Sequence, residues 1–323
     1  VLLMAYSDGH LAYVRRSLDG GQSWGSAVLV AATPGYTNTN ANLLELDDGR
    51  IVYAWNGRPR GPGTFTIMTK ISYDQGASWT DERLVYQGGD TWSTGVWEPA
   101  LLQLPSGELQ LYFANESVFP DTDEQEIGVV SSLDRGISWN SYRRVSFRRR
   151  RRDGMPVPLR LAGNGGVVVA IEDLHLFTFK PSIIRTSMEQ SHWQEWVNGR
   201  SSRREPALRP PLPFYVYAGA PYVVQLPYGE TILSVQSAEG RPYTQPRHRS
   251  AVMQVYVGTP QARDFAGRTT PFPDIPSTGN ALWNSLTVLG PDTVMAVSSV
   301  TGKGQDGIWT VIGRVVRVDR SSQ

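Results

Sequence analysis

One eight-residue motif occurs three times along this chain at nearly even spacing. Its pattern is S-x-D-x-G-x-S-W, and its aspartates are Asp19, Asp74 and Asp134, which are 55 and then 60 residues apart. A period of this length indicates a fold built from repeated supersecondary units. In a tight turn, Asp can accept backbone N–H bonds, Gly supplies a φ above zero, and Trp packs the turn against a sheet. We therefore interpret the three aspartates as structural rather than catalytic.

A second repeat runs out of phase with the first and consists of an apolar strand, a glycine-containing turn and another apolar strand. Its copies lie at 43–55, 101–113, 158–171, 223–236 and 286–299, and Val1–Tyr6 has the pattern of the second half of an earlier copy. A further apolar strand follows each pair, at 11–16, 64–71, 127–131, 183–186, 251–257 and 308–318. Six units of roughly four strands predict an all-β, six-bladed β-propeller.

The length and charge of the chain limit what else it can be. Its 323 residues suit one large all-β domain, so we predict a single propeller across residues 1–323. Because the sequence begins in the middle of a strand at Val1, we expect the N-terminal strand to be truncated. The net charge of +1 gives no general attraction to nucleic acid or membranes, and no apolar stretch reaches transmembrane length.

Several kinds of chemistry have no signal in this sequence. The chain has no cysteine, which excludes disulfides and thiolate metal sites. Its four histidines do not have the spacing of metal ligands; they are His10, His175, His192 and His248. Neither a glycine-rich phosphate loop nor a nucleophile elbow is found. The sequence therefore predicts neither a metal nor a cofactor.

Propeller geometry predicts where functional residues gather, because the innermost strand of each blade starts, and the second strand ends, at the same face. The candidates at these places are Asn42, Asn56, Trp97, Glu98, Glu116, Asp153, Glu172, Asp173, Tyr217, Trp283 and Asn284. Carboxylates beside aromatic rings suit glycoside hydrolysis, in which one carboxylic acid protonates the leaving oxygen and a carboxylate attacks or activates water. Neighbouring acids also push each other's pKa values apart, which separates these two roles.

Two glutamates stand out among these candidates. Glu172 follows the apolar run 167–171, where a charge is costly unless it is paired or functional. Glu98 opens an inner strand directly after Trp97. We expect both glutamates to be functional.

Two other acids have a competing structural interpretation. Glu116 could form an ion pair at the rim, and Asp153 follows five consecutive arginines at 148–152 with which it could pair. Because this arginine run has no interleaved aromatic residues, we interpret it as a solvated loop rather than a nucleic-acid patch.

The three-copy motif resembles the Asp-box, or bacterial neuraminidase repeat, of sialidase-type β-propellers. In that resemblance each box is the turn between the third and fourth strands of a blade, on the face opposite the active site. Within these propellers the chain most closely resembles the exo-α-1,5-L-arabinanases of glycoside hydrolase family 93. The segments that carry this resemblance are 97–107, 152–156 and 169–172.

This resemblance implies a retaining, secreted enzyme that releases arabinobiose from the non-reducing end of linear arabinan. By position, it places the two catalytic glutamates on Glu98 and Glu172. Retention would put their carboxyl groups about 5–5.5 Å apart. We expect a monomer that binds linear arabinan or arabino-oligosaccharides and requires no cofactor.

The two glutamates receive different roles. Trp97 predicts apolar surroundings for Glu98, which raise a carboxyl pKa and suit a general acid/base. Cations of the upstream arginine loop would keep Glu172 ionised, as a nucleophile requires, although Asp173 beside it acts in the opposite direction.

Two other functions remain open at the level of sequence. A sialidase would use arginines to hold a carboxylate and a Tyr–Glu pair as nucleophile, and the residues available for this are Arg58, Arg185, Arg241, Arg247, Tyr215 and Tyr217. Alternatively, the propeller only binds glycans or proteins. Acids clustered at the channel mouth argue against pure binding, because a sugar-binding module has little need of desolvated carboxyl groups.

Overall fold

The computed structural model describes residues 1–140, 142–163, 165–174, 177–242, 250–301 and 309–319. Four residues of the sequence predictions lie outside these ranges, namely His175, His248, Arg247 and the first residue of the predicted strand 308–318. The described residues form six antiparallel sheets in which every strand pairs with its neighbour in sequence. The predicted all-β, six-bladed β-propeller is therefore confirmed.

The chain divides into two compact units, the first of which comprises Val1–Pro156 and Trp193–Trp196. Its first sheet contains β1 (Leu2–Asp8), β2 (Leu11–Ser17) and β3 (Val28–Ala31). Its second contains β4 (Tyr36–Glu45), β5 (Ile51–Pro59), β6 (Thr66–Ser72) and β7 (Thr80–Gln87). Its third contains β8 (Val96–Gln103), β9 (Leu109–Asn115), β10 (Glu126–Ser132) and β11 (Arg143–Ser146).

The second unit comprises Val157–His192 and Val197–Gln323. The fourth sheet of the chain contains β12 (Asp153–Arg160), β13 (Val167–Asp173), β14 (Lys180–Thr186) and β15 (Arg204–Pro206). The fifth contains β16 (Ala218–Gln225), β17 (Thr231–Ser237), β18 (Val252–Gly258) and β19 (Ala266–Thr269). The sixth contains β20 (Ala281–Gly290), β21 (Thr293–Val300) and β22 (Thr310–Arg317).

The core of each unit consists of buried aliphatic and aromatic side chains. In the first unit, Val14 of β2 and Val30 of β3 pack with Tyr53 and Trp55 of β5. In the second unit, β13 is buried along nearly its whole length, and Glu172 is its first residue that retains solvent exposure. Strands covered on both faces read as continuous apolar runs, which explains the sequence pattern at 167–171.

The repeated S-x-D-x-G-x-S-W turns are closed by their own aspartates. The Asp74 carboxylate accepts hydrogen bonds from the Ser72 hydroxyl at 2.8 Å, the Ser78 N–H at 2.8 Å and the Ser78 hydroxyl at 2.6 Å. Asp19 and Asp134 accept the equivalent bonds in their own turns. These bonds satisfy backbone and hydroxyl donors within each turn, so all three carboxylates serve the fold.

Strand register shows where these turns lie in their sheets. Ser72 pairs with Ile51, whereas the other end of β6 pairs with Gly57. The turn that begins at Ser72 therefore lies at the opposite end of its sheet from Arg58, which follows Gly57 in β5. The same holds in the next sheet, where Ser132 pairs with Leu109 and Glu126 pairs with Asn115.

The innermost strands share a backbone feature that no sequence motif reveals. In five sheets, one residue of the first strand has a positive φ; these are Asn40 at 53°, Glu98 at 47°, Met155 at 47°, Ala220 at 46° and Trp283 at 56°. In β4, β8, β16 and β20 the pairing register shifts at this residue, which marks a β-bulge. Side chains of a strand normally alternate between the two faces of the sheet, and a bulge interrupts this alternation. Each of these inner strands therefore redirects one side chain at its bulge. The sequence repeat predicts the start of this strand at residue 43, but β4 begins earlier, at Tyr36.

Candidate active site

Glu98 occupies the bulge of β8 in the first unit. Its side chain is 22% exposed, and its Oε1 lies 3.9 Å from Nη2 of Arg58. The preceding residue, Trp97, is buried. A partly exposed carboxylate and a buried aromatic residue therefore follow each other at the bulge.

Arg58 is the cation next to this carboxylate, and several groups fix its position. Its Nε donates to Asn56 Oδ1 at 2.7 Å, and its terminal nitrogen donates to Asn40. The guanidinium lies over Trp97 and Trp92, 5.0 and 5.8 Å from the ring centroids. Burial lowers the pKa of Arg58, and the charge of Glu98 acts against that effect. An arginine so placed remains cationic and presents a fixed positive charge to Glu98.

A cavity of about 500 Å³ opens beside Arg58 in the same unit. It is lined by Thr37, Arg58, Pro59, Arg60, Gly61, Phe65, Asp90 and Trp92. The Trp92 ring is exposed and stacks on Trp97, with centroids 5.3 Å apart. An exposed ring beside a few charged and hydroxyl groups is the usual composition of a small-molecule site.

Sequence reasoning missed most of this cavity. Arg58 is a candidate sialidase arginine in the sequence, and it lies inside β5, one residue before that strand ends. Asp90 and Trp92 lie in the connection between β7 and β8, where the strand repeat gives no signal. Their part in the site depends on how that connection folds back over Phe65, whose ring lies 5.3 Å from that of Trp92.

The predicted binding residues Asn42 and Asn56 are engaged in the framework. Asn42 Oδ1 accepts the Leu101 backbone N–H at 3.0 Å. Asn56 is fully buried, and its Nδ2 donates to the carbonyl oxygens of Val96 at 2.7 Å and Thr66 at 3.1 Å. These bonds fix β8, and with it Glu98, so the two amides position the site from beneath.

Glu116 and Asp153 are also bound by protein groups. Glu116 is buried and accepts a hydrogen bond from Arg152. Burial raises the pKa of Glu116, and the charge of Arg152 opposes this rise. Asp153 has no solvent exposure, and its Oδ2 accepts the Ser146 hydroxyl at 2.7 Å. Arg152 of the arginine run is therefore a partner of Glu116, and both acids are bonded to protein groups.

The second unit carries the other glutamate, Glu172, at the end of β13. Its Oε2 accepts the backbone N–H of Ala220, the bulge residue of β16, at 3.0 Å. A hydrogen bond to a carboxylate favours the ionised form. Glu172 is half-buried, and the Ala220 N–H orients its carboxylate.

Tyr217 lies beside Glu172. A Cβ added at Gly219 would lie 2.5 Å from Tyr217 Oη and 2.6 Å from Glu172 Oε2, so both oxygens adjoin the same glycine. Burial raises the pKa of Tyr217, and the negative charge of Glu172 raises it further. The phenol therefore stays protonated, and it accepts a hydrogen bond from Gln236 Nε2 at 2.7 Å.

Gln236 connects Tyr217 to Trp283. Its Oε1 accepts the Trp283 backbone N–H at 3.0 Å, which fixes the bulge of β20. The Trp283 side chain is 53% exposed. The next residue, Asn284, is buried and accepts the Ser298 hydroxyl at 3.1 Å. Among the predicted residues of this unit, Trp283 offers an accessible ring, whereas Asn284 lies beneath it in the framework.

Asp173, the neighbour of Glu172, is neutralised inside the second unit. Its Oδ2 accepts Arg204 at 2.8 Å and the Ser182 hydroxyl at 3.2 Å, and both charged side chains are nearly inaccessible. The sequence predicts that Asp173 acts against an ionised Glu172. Arg204 removes the repulsion of Asp173, and the Ala220 N–H supplies the favourable contact.

Two arginines proposed for a sialidase are engaged elsewhere. Arg185 donates to Glu205, and Arg241 donates to four backbone carbonyls, those of Ser250, Ile275, Pro276 and Gly279. Within the described ranges, no group of three or more His, Asp or Glu side chains has the arrangement of a metal site. Among the residues with assigned positions, no helix has the length and apolar character needed to cross a membrane.

No family model and no curated protein matches this chain. Several solved structures share its fold. The family 93 α-L-arabinofuranosidase of Fusarium graminearum, in complex with arabinobiose, is 19% identical with a TM-score of 0.74, over 98% of this chain and 89% of that one. The α-L-arabinanase of Penicillium chrysogenum, also with arabinobiose, is 19% identical with a TM-score of 0.69 over the same shares.

A sialidase from the Hadza microbiome is more distant. It is 15% identical with a TM-score of 0.59, over 95% of this chain and 59% of the sialidase. At such identities the likeness establishes the fold. The structural neighbours of this chain are therefore family 93 enzymes and sialidase-like propellers.

Proposed function

We propose that this protein is a retaining exo-glycoside hydrolase that acts on α-1,5-linked L-arabinan and releases arabinobiose from the non-reducing end. Glu98 and Glu172 are its catalytic pair. The observation that carries the proposal is the placement of Glu98 on a β-bulge, 3.9 Å from Arg58, which itself lines a cavity of about 500 Å³ with an exposed Trp92 ring. Arabinobiose-bound neighbours of the same fold support the choice of sugar.

Glu172 serves as the nucleophile in this proposal. The Ala220 N–H stabilises its carboxylate, and the paired Asp173 no longer repels it. In the first step Glu172 attacks the anomeric carbon while the leaving oxygen departs with a proton from Glu98. In the second step the Glu98 carboxylate takes a proton from water, which attacks the same carbon and releases Glu172.

Glu98 serves as the general acid/base. The residue before it, Trp97, is buried, and an apolar neighbour suits a general acid. Arg58 acts in the other direction, because a cation 3.9 Å away favours the ionised carboxylate that remains after proton transfer. The other candidates support this pair: Trp283 offers a ring for stacking, and Asn42, Asn56, Glu116, Asp153, Asp173, Tyr217 and Asn284 hold the surrounding backbone and side chains.

The test is product analysis on linear arabinan beside a sialoside. We expect arabinobiose as the first product, released with retained anomeric configuration, and no sialic acid. Glu98→Gln and Glu172→Gln should each abolish the release while the thermal unfolding midpoint stays near that of the wild type. Full activity in either variant, or free sialic acid from the sialoside, would refute the proposal.

A sialidase is the second candidate, favoured by one observation. Tyr217 and Glu172 adjoin each other at Gly219, as a Tyr–Glu nucleophile pair requires. The engagement of Arg185 and Arg241 leaves few arginines to hold a sialic carboxylate. In the sialoside arm of the assay, Tyr217→Phe would abolish sialidase activity.

Secretion and a monomeric state belong to the same proposal, because an enzyme acting on a cell-wall polymer meets it outside the cell. Light scattering across a concentration series checks the monomer, and a mass that rises with concentration would contradict it.

A further inference from the structure

Three aromatic side chains of the second unit are exposed side by side. Phe177 is 64% exposed, Phe214 58% and Tyr215 55%. The ring centroids of Phe177 and Phe214 lie 5.3 Å apart, and those of Phe214 and Tyr215 lie 5.4 Å apart. Single exposed apolar residues are common on protein surfaces, but an unbroken row of three large rings marks a binding surface.

This row lies at the end of the sheets that carries Glu172 and Tyr217. Phe177 belongs to the loop between β13 and β14, whose ends pair Asp173 with Lys180. Phe214 and Tyr215 lie three and two residues before Tyr217, which directly precedes β16. The Ala218 N–H donates to the Phe179 carbonyl at 3.1 Å, so the two loops are joined by a backbone hydrogen bond.

Lys180 orders the loop that presents two of the rings. Its Nζ donates to the Phe214 carbonyl at 3.2 Å and also to the Val216 carbonyl. Lys180 is partly buried, and this burial lowers its pKa to about 8. A desolvated cation bound to two loop carbonyls holds Phe214 and Tyr215 in place before any ligand arrives. Such preorganisation lowers the entropy that binding must overcome.

We propose that Phe177, Phe214 and Tyr215 form a carbohydrate-stacking platform, which binds sugar units of a polysaccharide beyond those that contact Glu172. The inference rests on the proposed function for the identity of the sugar. Continuity with Glu172 and Tyr217 identifies the occupant as the rest of the substrate chain. Rings offer an apolar face to the C–H face of a sugar, and the phenol of Tyr215 can also hydrogen-bond to a sugar hydroxyl.

The platform is tested by comparing a polymer with a short substrate. For Phe214→Ala and the double variant Phe177→Ala/Phe214→Ala, we expect the ratio of kcat/KM on linear arabinan to kcat/KM on an aryl α-1,5-L-arabinobioside to fall about tenfold, through a higher KM for the polymer. The matched control is Tyr228→Ala, an exposed aromatic residue in the turn between β16 and β17, at the other end of the sheet. Its ratio should equal that of the wild type. An unchanged ratio in the double variant would overturn the platform.

A binding experiment separates this inference from the proposed function. Glu172→Gln protein is titrated against linear arabinan and a panel of other plant polysaccharides, with and without the Phe177→Ala/Phe214→Ala changes. Suppose that the wild type does not hydrolyse arabinan, but that another polysaccharide binds Glu172→Gln protein and binds more weakly once Phe177→Ala/Phe214→Ala is added. The platform is then correct and the proposed substrate is wrong. If no polysaccharide binds, or if the rings instead support a dimer that the variant dissociates in light scattering, the platform is wrong.

Discussion

Glu172 and Tyr217 meet over Gly219, and this glycine leaves room for both oxygens. A Cβ at this position would lie 2.6 Å from Glu172 Oε2 and 2.5 Å from Tyr217 Oη, closer than any ordinary van der Waals contact. Glu172 is held in turn by the Ala220 N–H, and Tyr217 by Gln236. Neither oxygen can therefore withdraw without breaking a hydrogen bond, so one methyl group is a selective probe of this arrangement.

Gly219→Ala is expected to reduce kcat/KM on arabinan by about 100-fold while the protein remains folded, because a displacement of about 1 Å in a catalytic group has this effect. The matched control is Gly290→Ala at the end of β20, where a Cβ would make ordinary contacts of 3.9 and 4.0 Å with Thr293. Steady-state kinetics and circular dichroism on both variants provide the check. Wild-type kinetics in Gly219→Ala would contradict the placement of Glu172 in the active site.

Chemical rescue separates the roles of the two glutamates. Azide added to Glu98→Ala should restore turnover and give an arabinosyl azide of retained configuration, because the azide then attacks the glycosyl-enzyme intermediate. Azide added to Glu172→Ala should give the inverted product by direct displacement. Proton NMR of the products reads the configuration. An inverted azide from Glu98→Ala would exchange the two roles.

Arg58→Lys is expected to lower kcat/KM by about 10- to 100-fold, which is the scale of one lost charge-assisted hydrogen-bond network. A lysine keeps the charge but cannot donate to Asn56 and Asn40 while lying over Trp97. The control is Arg50→Lys. Arg50 pairs with Asp48 in the turn at the opposite end of the same sheet. Equal activities in the two variants would show that Arg58 is not part of the site.

Trp79→Ala is expected to destabilise the protein by about 3 kcal/mol, as aromatic truncations in cores do. Trp79 packs edge-on against the buried Tyr53 ring, with centroids 5.4 Å apart, and it belongs to the apolar cluster of the first unit. The control is Leu133→Ala, a 75% exposed side chain in the third copy of the turn motif. Urea denaturation measures both variants. If Trp79→Ala kept wild-type stability but lost activity, the turn would belong to the active site.

Asp74→Asn tests the turn by its response to acid. Hydrogen bonds from the Ser78 hydroxyl, the Ser78 N–H and the Ser72 hydroxyl lower the pKa of Asp74 to about 2, from 3.8. Because the folded pKa lies below the unfolded value, this stabilisation is complete above pH 3.8 and is lost as the pH falls through about 2. The difference in unfolding free energy between wild type and Asp74→Asn should therefore shrink between those values. A difference independent of pH would mean that the carboxylate charge contributes nothing.

The repeats account for how well the fold could be predicted. Each blade is a local unit whose strands pair with their sequence neighbours, so alternating apolar runs and glycine turns specify pairing without long-range information. The aspartate of each turn likewise bonds residues only two and four positions away. The strand ends can also be predicted from the local pattern of apolar runs and glycine turns. The positions of Glu98 and Glu172 at the ends of their sheets follow from that pattern.

Only the tertiary structure decided which rim residues are accessible and which support them. Asn56, Glu116, Asp153 and Asp173 look like site residues in the sequence, yet each is buried and bonded to a partner. No sequence motif marks Arg58, Trp92 or the row that begins at Phe177. Their roles come from contacts between segments that are distant in sequence. Local pattern determines where a strand ends. Burial, charge partners and ring stacking instead depend on segments that lie far apart in sequence. Those pairings follow no repeat along the chain, so a single sequence does not reveal them.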